Sequence, residues 1–360
     1  MKHYTILKLL MLPLSLVLLG GCAKEAVEAT KSLKELNRRL ALDLPEEEYE
    51  TLSDLIIAHA GRVPQKGEKV CYPGLEFHIQ QATPGLVTQV KIKRLVAKVA
   101  ILPDYSLHLM TEKYKGLLKY LEKATGYRIE WVSAASYDGF LAAMERAKAD
   151  VSFQNPLLYT ILAKTKGAYP LVKALTLVSS PGGEVEPQTT SRGVIIARTD
   201  RGIKKVEDLR GRTIMVPSRR SFFGYVAPLA LCQERGLKAD DFTLILGKRH
   251  DQVVLAVSRG QADAGFVKEA ALEEVKGRVD LSKLTILART EPFPNWCFAA
   301  FPESNKRVVK AIQEALLNLN LNNPEHQEVL RRAGVGGFLL ASDEEYNGVR
   351  QTVSNLNLPY

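Results

Sequence analysis

The chain has 360 residues, 46% of them apolar and 25% charged, with 49 Lys and Arg against 40 Asp and Glu for a net charge of +9. That length can bury the cores of two medium lobes with a segment to spare. The basic residues are scattered in pairs such as Lys204-Lys205 and Arg219-Arg220, which argues against a nucleic-acid-binding stripe and for solvated faces, with an anionic ligand or membrane surface compatible with the surplus.

Lys2 and Lys8 precede an apolar stretch from Leu9 to Leu19, and the run closes on Leu19-Gly20-Gly21-Cys22. The pattern is that of a secretion signal ending in a lipobox. The stretch is shorter than the roughly 20 apolar residues a membrane-spanning helix needs. The mature protein is therefore expected to begin at Cys22, acylated on its sulfur and held on the extracytoplasmic side of a membrane. The plainer reading is an ordinary signal peptide that happens to end near a cysteine. Cys71, Cys232 and Cys297 allow at most one disulfide among them, so disulfides do not carry the fold. Cys232 follows Val226, Leu229 and Ala230 in an apolar helical stretch, as a small core residue would. There is no CxxC or HExxH spacing, and neither a metal nor a cofactor is expected.

Residues 1–21 are thus the leader and 22–93 a lipidated tether. Within it Leu33, Leu36 and Leu40 recur at helical spacing, as do Tyr49, Leu52, Leu55 and Ile56 after Pro45. Residues 64–93, with Pro64, Gly67, Pro73-Gly74 and Pro84-Gly85, read as turn-rich. From Leu95 strands alternate with helices. Leu95 to Leu102, Arg128 to Val132 and Asp150 to Phe153 read as strands, with helices over Lys113 to Thr125 and Tyr137 to Lys148.

After a break at Pro181-Gly182-Gly183 the pattern repeats. Strands are predicted at Arg192 to Arg198, Thr213 to Val216, Phe242 to Leu246 and Ala264 to Val267, with helices from Gly224 to Glu234 and Gln252 to Arg259. Two α/β units in succession predict two lobes of parallel sheet covered by helices: lobe 1 over 94–190, lobe 2 over 191–289, and a return to lobe 1 over 290–360. The last part carries strands at Thr285 to Ala288 and Cys297 to Phe301 and helices at Asn305 to Leu319 and His326 to Ala333. Ligands in such sheets sit beyond the strand carboxyl ends, here in the gap between lobes.

The chain carries, in order, Ser136-Tyr137-Asp138-Gly139-Phe140, Ala149-Asp150-Val151, Asn155-Pro156-Leu157, Gly202-Ile203, Asp208-Leu209-Arg210-Gly211, Gly224-Tyr225, His250-Asp251, Ala262-Asp263-Ala264-Gly265 and Gly336-Gly337-Phe338. Together these motifs resemble the phosphate/phosphite/phosphonate substrate-binding proteins of ABC transporters, a branch of the type II periplasmic receptors. The resemblance spans residues 95–355. It implies a hinged receptor with an interlobe cleft, one lobe supplying a Tyr and the other hydroxyls and main-chain N–H groups at a helix start. A helix start suits an oxyanion because its first N–H groups are unpaired and its dipole is positive there.

Carried onto this chain, the resemblance makes Tyr137, Asn155, Ser218, Ser221, Gly224 and His250 ligand-binding candidates, and the chain's departures from the family pattern add Phe222 and Lys268. Each has a plainer reading. Tyr137 can be packing, Ser136 a helix cap, Asn155-Pro156 turn chemistry and His250 a surface cap, with Asp251 the cap of that helix. One of Phe222 and Phe223 can wall an apolar part of the ligand while the other is core. Arg219 and Arg220 can clamp an oxyanion or merely be solvated.

The chain departs from the family pattern twice. The Ser/Thr-rich loop before the lobe 2 helix reads Ser218-Arg219-Arg220-Ser221-Phe222-Phe223-Gly224, which keeps part of the hydroxyl cradle. Where the family places an acidic residue after Ala262-Asp263-Ala264-Gly265-Phe266-Val267, this chain has Lys268, with Glu269 beside it. An ammonium favours a fully anionic ligand.

The expected protein is a lipid-anchored, monomeric receptor that passes a small oxyanion to an ABC permease. A lipoprotein sensor feeding a signalling partner is the alternative. GxSxG and P-loop patterns are missing, which argues against an enzyme.

Overall fold

The computed structural model describes residues 26–179 and 185–359; the leader, Cys22 and the Pro181-Gly182-Gly183 break lie outside the described residues. The chain divides between Leu95 and Val96 into two compact units.

The first unit comprises β1 (Val27–Glu28), α1 (Leu33–Leu40), α2 (Leu52–Ala60), β2 (Lys69–Tyr72), β3 (Leu75–Ala82) and β4 (Val87–Arg94). Ser32 caps α1 through the Glu35 N–H, and Thr51 and Asp54 form a capping box on α2. The strands build an antiparallel sheet in the order β1-β4-β3-β2. Leu75, Phe77 and Ile79 on β3 and Val90 and Ile92 on β4 alternate with polar residues, so Phe77 faces Ile92 and Ile79 faces Val90 in register. These side chains share a core with Leu33, Leu36, Leu55 and Ile56 from the two helices. The helical spacing over residues 23–63 is therefore real, but the segment is a packed α/β unit rather than a helical tether. The proline-glycine punctuation of residues 64–93 marks hairpin turns, and the alternation between the turns makes the sheet.

The second unit opens with β5 (Val96–Ile101), α3 (Leu107–Thr125), β6 (Arg128–Val132), α4 (Tyr137–Ala147), β7 (Val151–Gln154), α5 (Pro156–Lys166) and β8 (Tyr169–Ser179). After β9 (Val185–Gln188) and β10 (Thr190–Ser191), the other lobe comprises β11 (Gly193–Arg198), β12 (Thr213–Val216), α6 (Ala227–Glu234), β13 (Thr243–Leu246), α7 (His250–Ser258), β14 (Ala264–Lys268), α8 (Ala270–Glu274) and β15 (Leu284–Arg289). The chain returns through β16 (Phe293–Pro294) to β17 (Cys297–Ala300), α9 (Lys306–Asn318), α10 (Pro324–Ala333), β18 (Val335–Leu340) and α11 (Asn347–Asn355).

Lobe 1 is a sheet ordered β18-β8-β17-β7-β5-β6, with β9 pairing β8, and lobe 2 is ordered β13-β12-β14-β11-β15. Both sheets are mixed rather than parallel. The βα units keep β5, β6 and β7 parallel in one lobe and β12, β13 and β14 in the other, while the crossing and returning strands run antiparallel. The two crossings lie side by side, β10 pairing β16 through Thr190 with Pro294 and Ser191 with Phe293. Parallel strands end on the side where the lobes meet, so β5, β7, β12 and β14 all deliver their following residues there.

Close backbone packing fixes the lobe 2 end of the first crossing. A Cβ on Gly193 would lie 2.4 Å from the Phe223 carbonyl oxygen and 3.0 Å from Pro228 Cγ. Gly193→Ala should therefore lower stability by about 1–3 kcal/mol through overpacking. Urea denaturation reads this directly, and an unchanged midpoint would contradict the close approach.

Candidate functional site

His250 is the first residue of α7, and its main-chain N–H donates across the lobes to the Asp104 carbonyl at 3.1 Å. Asp251 does not cap this helix. Arg249 holds the cap position without a side-chain bond, and the Asp104 carbonyl serves the exposed N–H instead. The His250 ring is buried, and its Nδ1 accepts the Lys268 main-chain N–H at 3.1 Å. In the neutral ring the proton then resides on Nε2. That nitrogen lies 3.3 Å from Ser221 Oγ and 3.5 Å from the Tyr137 hydroxyl of lobe 1. Burial, reinforced by the Lys268 charge, pulls the His250 pKa down to about 3, so the imidazole is neutral near neutral pH.

Ser221 precedes a π-helical turn over Phe222–Val226, and its Oγ accepts the Gly224 N–H at 3.1 Å. Gly224 leaves the ring room: a Cβ there would lie 2.7 Å from His250 Cε1 and 2.5 Å from Pro217 Cγ. Asn155 caps α5 through the Leu158 N–H at 3.0 Å, and its Nδ2 donates across the lobes to the Arg220 carbonyl at 3.1 Å. Ser218 is buried and accepts the Arg220 N–H at 3.1 Å. Arg220 pairs with Asp138 of the opposite lobe, and Arg219 donates to the Tyr225 hydroxyl at 2.9 Å.

Beside this corner lies a small chamber of about 20 Å³, lined by Asp104, Lys113, Lys268, Glu274, Asn295 and Trp296 among others. Lys113 of α3 forms an ion pair with Glu274 of α8, bridging the lobes. The Lys268 ammonium sits 5.4 Å from the Trp296 ring centre. Glu269 pairs with Arg289 at 2.7 Å rather than with Lys268. Asp104 is 1% exposed, and its Oδ1 has no hydrogen-bond partner among the described residues. Burial raises the Asp104 pKa to about 7 against the pull of Lys268 and Lys113, and burial lowers that of Lys268 against the pull of Asp104.

Of the residues expected from sequence, Tyr137, Ser221, Gly224, His250 and Lys268 meet in one place. Asn155 and Ser218 lie at the lobe junction, with their bonding committed to the segment around Arg220. Phe222 belongs to the lobe 2 core, edge-on to Phe223 and Phe293, because the π-helical turn directs both rings inward. Asp104, Lys113 and Glu274 were missed. Asp104 had the same signal as the other loops, a polar residue between a strand end and a helix cap, here Ser106. Lys113 was hidden because the helix was read as starting there. It starts at Leu107, which puts Lys113 on the buried stripe with Leu109, Met110, Tyr114 and Leu117.

Two mixed α/β lobes joined by paired crossing strands, with helix starts converging at their junction, define a type II periplasmic binding protein. Residues 99–346 match the family of ABC transporter phosphonate periplasmic substrate-binding proteins, and this chain belongs to that family. Residues 26–96 match a transporter associated domain. The phosphate-import protein PhnD of Mycolicibacterium smegmatis is 24% identical over 271 residues, 70% of this chain and 83% of that protein. Among solved structures, a binding protein component of an ABC phosphonate transporter from Pseudomonas aeruginosa aligns with a TM-score of 0.66 at 16% identity, covering 74% of this chain and 87% of that one. PhnD1 from Prochlorococcus marinus, in complex with methylphosphonate, aligns at 0.63 and 16% identity, covering 73% and 98%. The family comprises extracytoplasmic solute-binding proteins rather than enzymes.

Asp104 and His250 drive opposite pH dependences of stability. The Asp104 pKa is about 7 folded and roughly 3.9 in an unfolded chain. The folded state thus holds more protons in that interval, and stability falls as pH rises through it. The His250 pKa is about 3 folded and roughly 6.5 unfolded. There the unfolded chain holds more protons, and stability rises with pH. The two trends offset each other between roughly pH 4 and 6.5. Asp104→Asn should leave a midpoint that climbs with pH in that window, and His250→Gln one that declines up to about pH 7. Urea midpoints measured at a series of pH values test this, and parallel profiles for the variants and the parent would contradict it.

Proposed function

We propose that the protein is a lipid-anchored importer receptor, acylated at Cys22. In this reading it closes its lobes on a small phosphate- or phosphonate-like oxyanion and delivers it to an ABC permease. The observation that carries the reading is the His250 corner. A neutral imidazole with its proton on Nε2 faces the hydroxyls of Ser221 and Tyr137, one from each lobe, at the start of α7. Hydroxyls, an N–H donor and a helix start form a metal-free cradle for phosphoryl oxygens. Lys268 adds a cation in the adjoining chamber, which favours a dianionic ligand over one bearing an amine. The paired crossing strands β10 and β16 supply the hinge about which capture proceeds.

Lys268→Ala should weaken binding of inorganic phosphate or methylphosphonate by roughly 10- to 150-fold, since a charge-assisted hydrogen bond contributes about 1.5–3 kcal/mol. Calorimetry with both ligands gives the answer, and near-equal dissociation constants for parent and variant would remove Lys268 from the binding surface. For the anchor, Cys22→Ser should shift the protein out of the detergent phase in a two-phase partition. Retention there after correct cleavage would refute acylation at this residue.

A further inference from the structure

We infer that Glu274 is a built-in stand-in for the anionic group of the ligand, and that Lys113 is a ligand-binding residue whose partner is exchanged on capture. The inference rests on the oxyanion reading above and specifies the groups with which a ligand competes.

Closing the lobes brings two lysines, Lys113 and Lys268, to one chamber. Lys113 is 6% exposed, and its ammonium lies 5.3 Å from the Tyr105 ring centre. Enclosing a cation of this kind without a counter-charge is strongly unfavourable. Glu274 supplies the counter-charge from the opposite lobe. Gly334, which ends α10 at a φ of +71°, makes room for the pair: a Cβ there would lie 2.9 Å from Lys113 Nζ and 3.2 Å from Glu274 Oε1.

With the pair formed, the chamber retains only about 20 Å³, enough for about one water molecule. A tetrahedral oxyanion, with five heavy atoms to water's one, does not fit beside it. The carboxylate presents its Oε1 to the lysine, as a phosphonate would present one of its oxygens, so Glu274 occupies the position of a ligand oxygen. It is also the partner able to leave. Its side chain is 22% exposed against 8% for that of Lys113, and it stands on the last residue of the five-residue α8. Swinging Glu274 into water frees Lys113 to join Lys268 on the incoming anion, and the chamber keeps its charge balance.

Glu274 as a stand-in and Glu274 as a permanent clamp at the cleft rim predict opposite effects of its removal. Glu274→Gln and Lys113→Met are compared with the parent by solution scattering without added ligand, and by calorimetry with phosphate, phosphite and methylphosphonate. A stand-in predicts a larger radius of gyration for both variants. It also predicts binding about tenfold tighter for Glu274→Gln and at least about tenfold weaker for Lys113→Met. Weaker binding by Glu274→Gln overturns the stand-in, because the pair then persists in the bound state, and leaves the oxyanion reading intact. If none of the three anions binds any of the proteins, both readings fall, and a difference in scattering then attests only a latch between lobes. Should Glu274→Gln misfold, as judged by circular dichroism, Glu274→Asp replaces it. The shortened carboxylate reaches Lys113 less well and should move affinity in the same direction.

Discussion

The hydrogen bond from the Lys268 N–H to His250 Nδ1 organises the site. It joins the end of β14 to the start of α7 and fixes which imidazole nitrogen carries the proton. Because the ring is buried and neutral, its Nε2–H is a donor of constant character rather than a group that switches charge with the medium. Ser221 and Tyr137 converge on that nitrogen, and Gly224 permits the close approach. Displacing the ring would dismantle the corner from both lobes at once.

A second constraint is the topology that makes the lobes meet. The strands preceding the site residues end at the lobe junction, and the chain passes between lobes twice, on the paired strands β10 and β16. Polar contacts cross the junction at several points: the His250 N–H to the Asp104 carbonyl, Asn155 to the Arg220 carbonyl, Arg220 to Asp138 and Lys113 to Glu274. Polar contacts of this kind can be exchanged for water when lobes separate, whereas a broad apolar seam would resist opening. The aromatic packing of Phe153 with Trp296 and Phe298 stays within lobe 1, and that of Phe222 and Phe223 within lobe 2 together with Phe293 of the second crossing.

The strand and helix alternation beyond residue 95 was legible because each element carries its own periodicity and its own stop. Thr213 to Val216 and Arg128 to Val132 agree with the structure residue for residue. The antiparallel strands were harder to place, since strand direction depends on distant partners that no local pattern encodes. The sheet of the first unit is masked in the sequence for a different reason: prolines and glycines crowd its turns, and Gln81 and the three-residue step from Val87 to Val90 break the alternation on β3 and β4. At the site, residues at helix starts were readable from capping chemistry. Lys113 and Glu274 were not, because a charged residue within a helix looks like a solvated one until the facing element is known.

The central claim is that the His250 corner receives a phosphoryl group between the lobes. A crystal structure with methylphosphonate tests it most directly. The account predicts tetrahedral density with oxygens at hydrogen-bonding distance from His250 Nε2, Ser221 Oγ and the Tyr137 hydroxyl, reached also by the Lys268 ammonium. Density elsewhere, such as in the open groove between α5 and α11 lined by Lys164 and Arg350, with the corner unchanged, would contradict it.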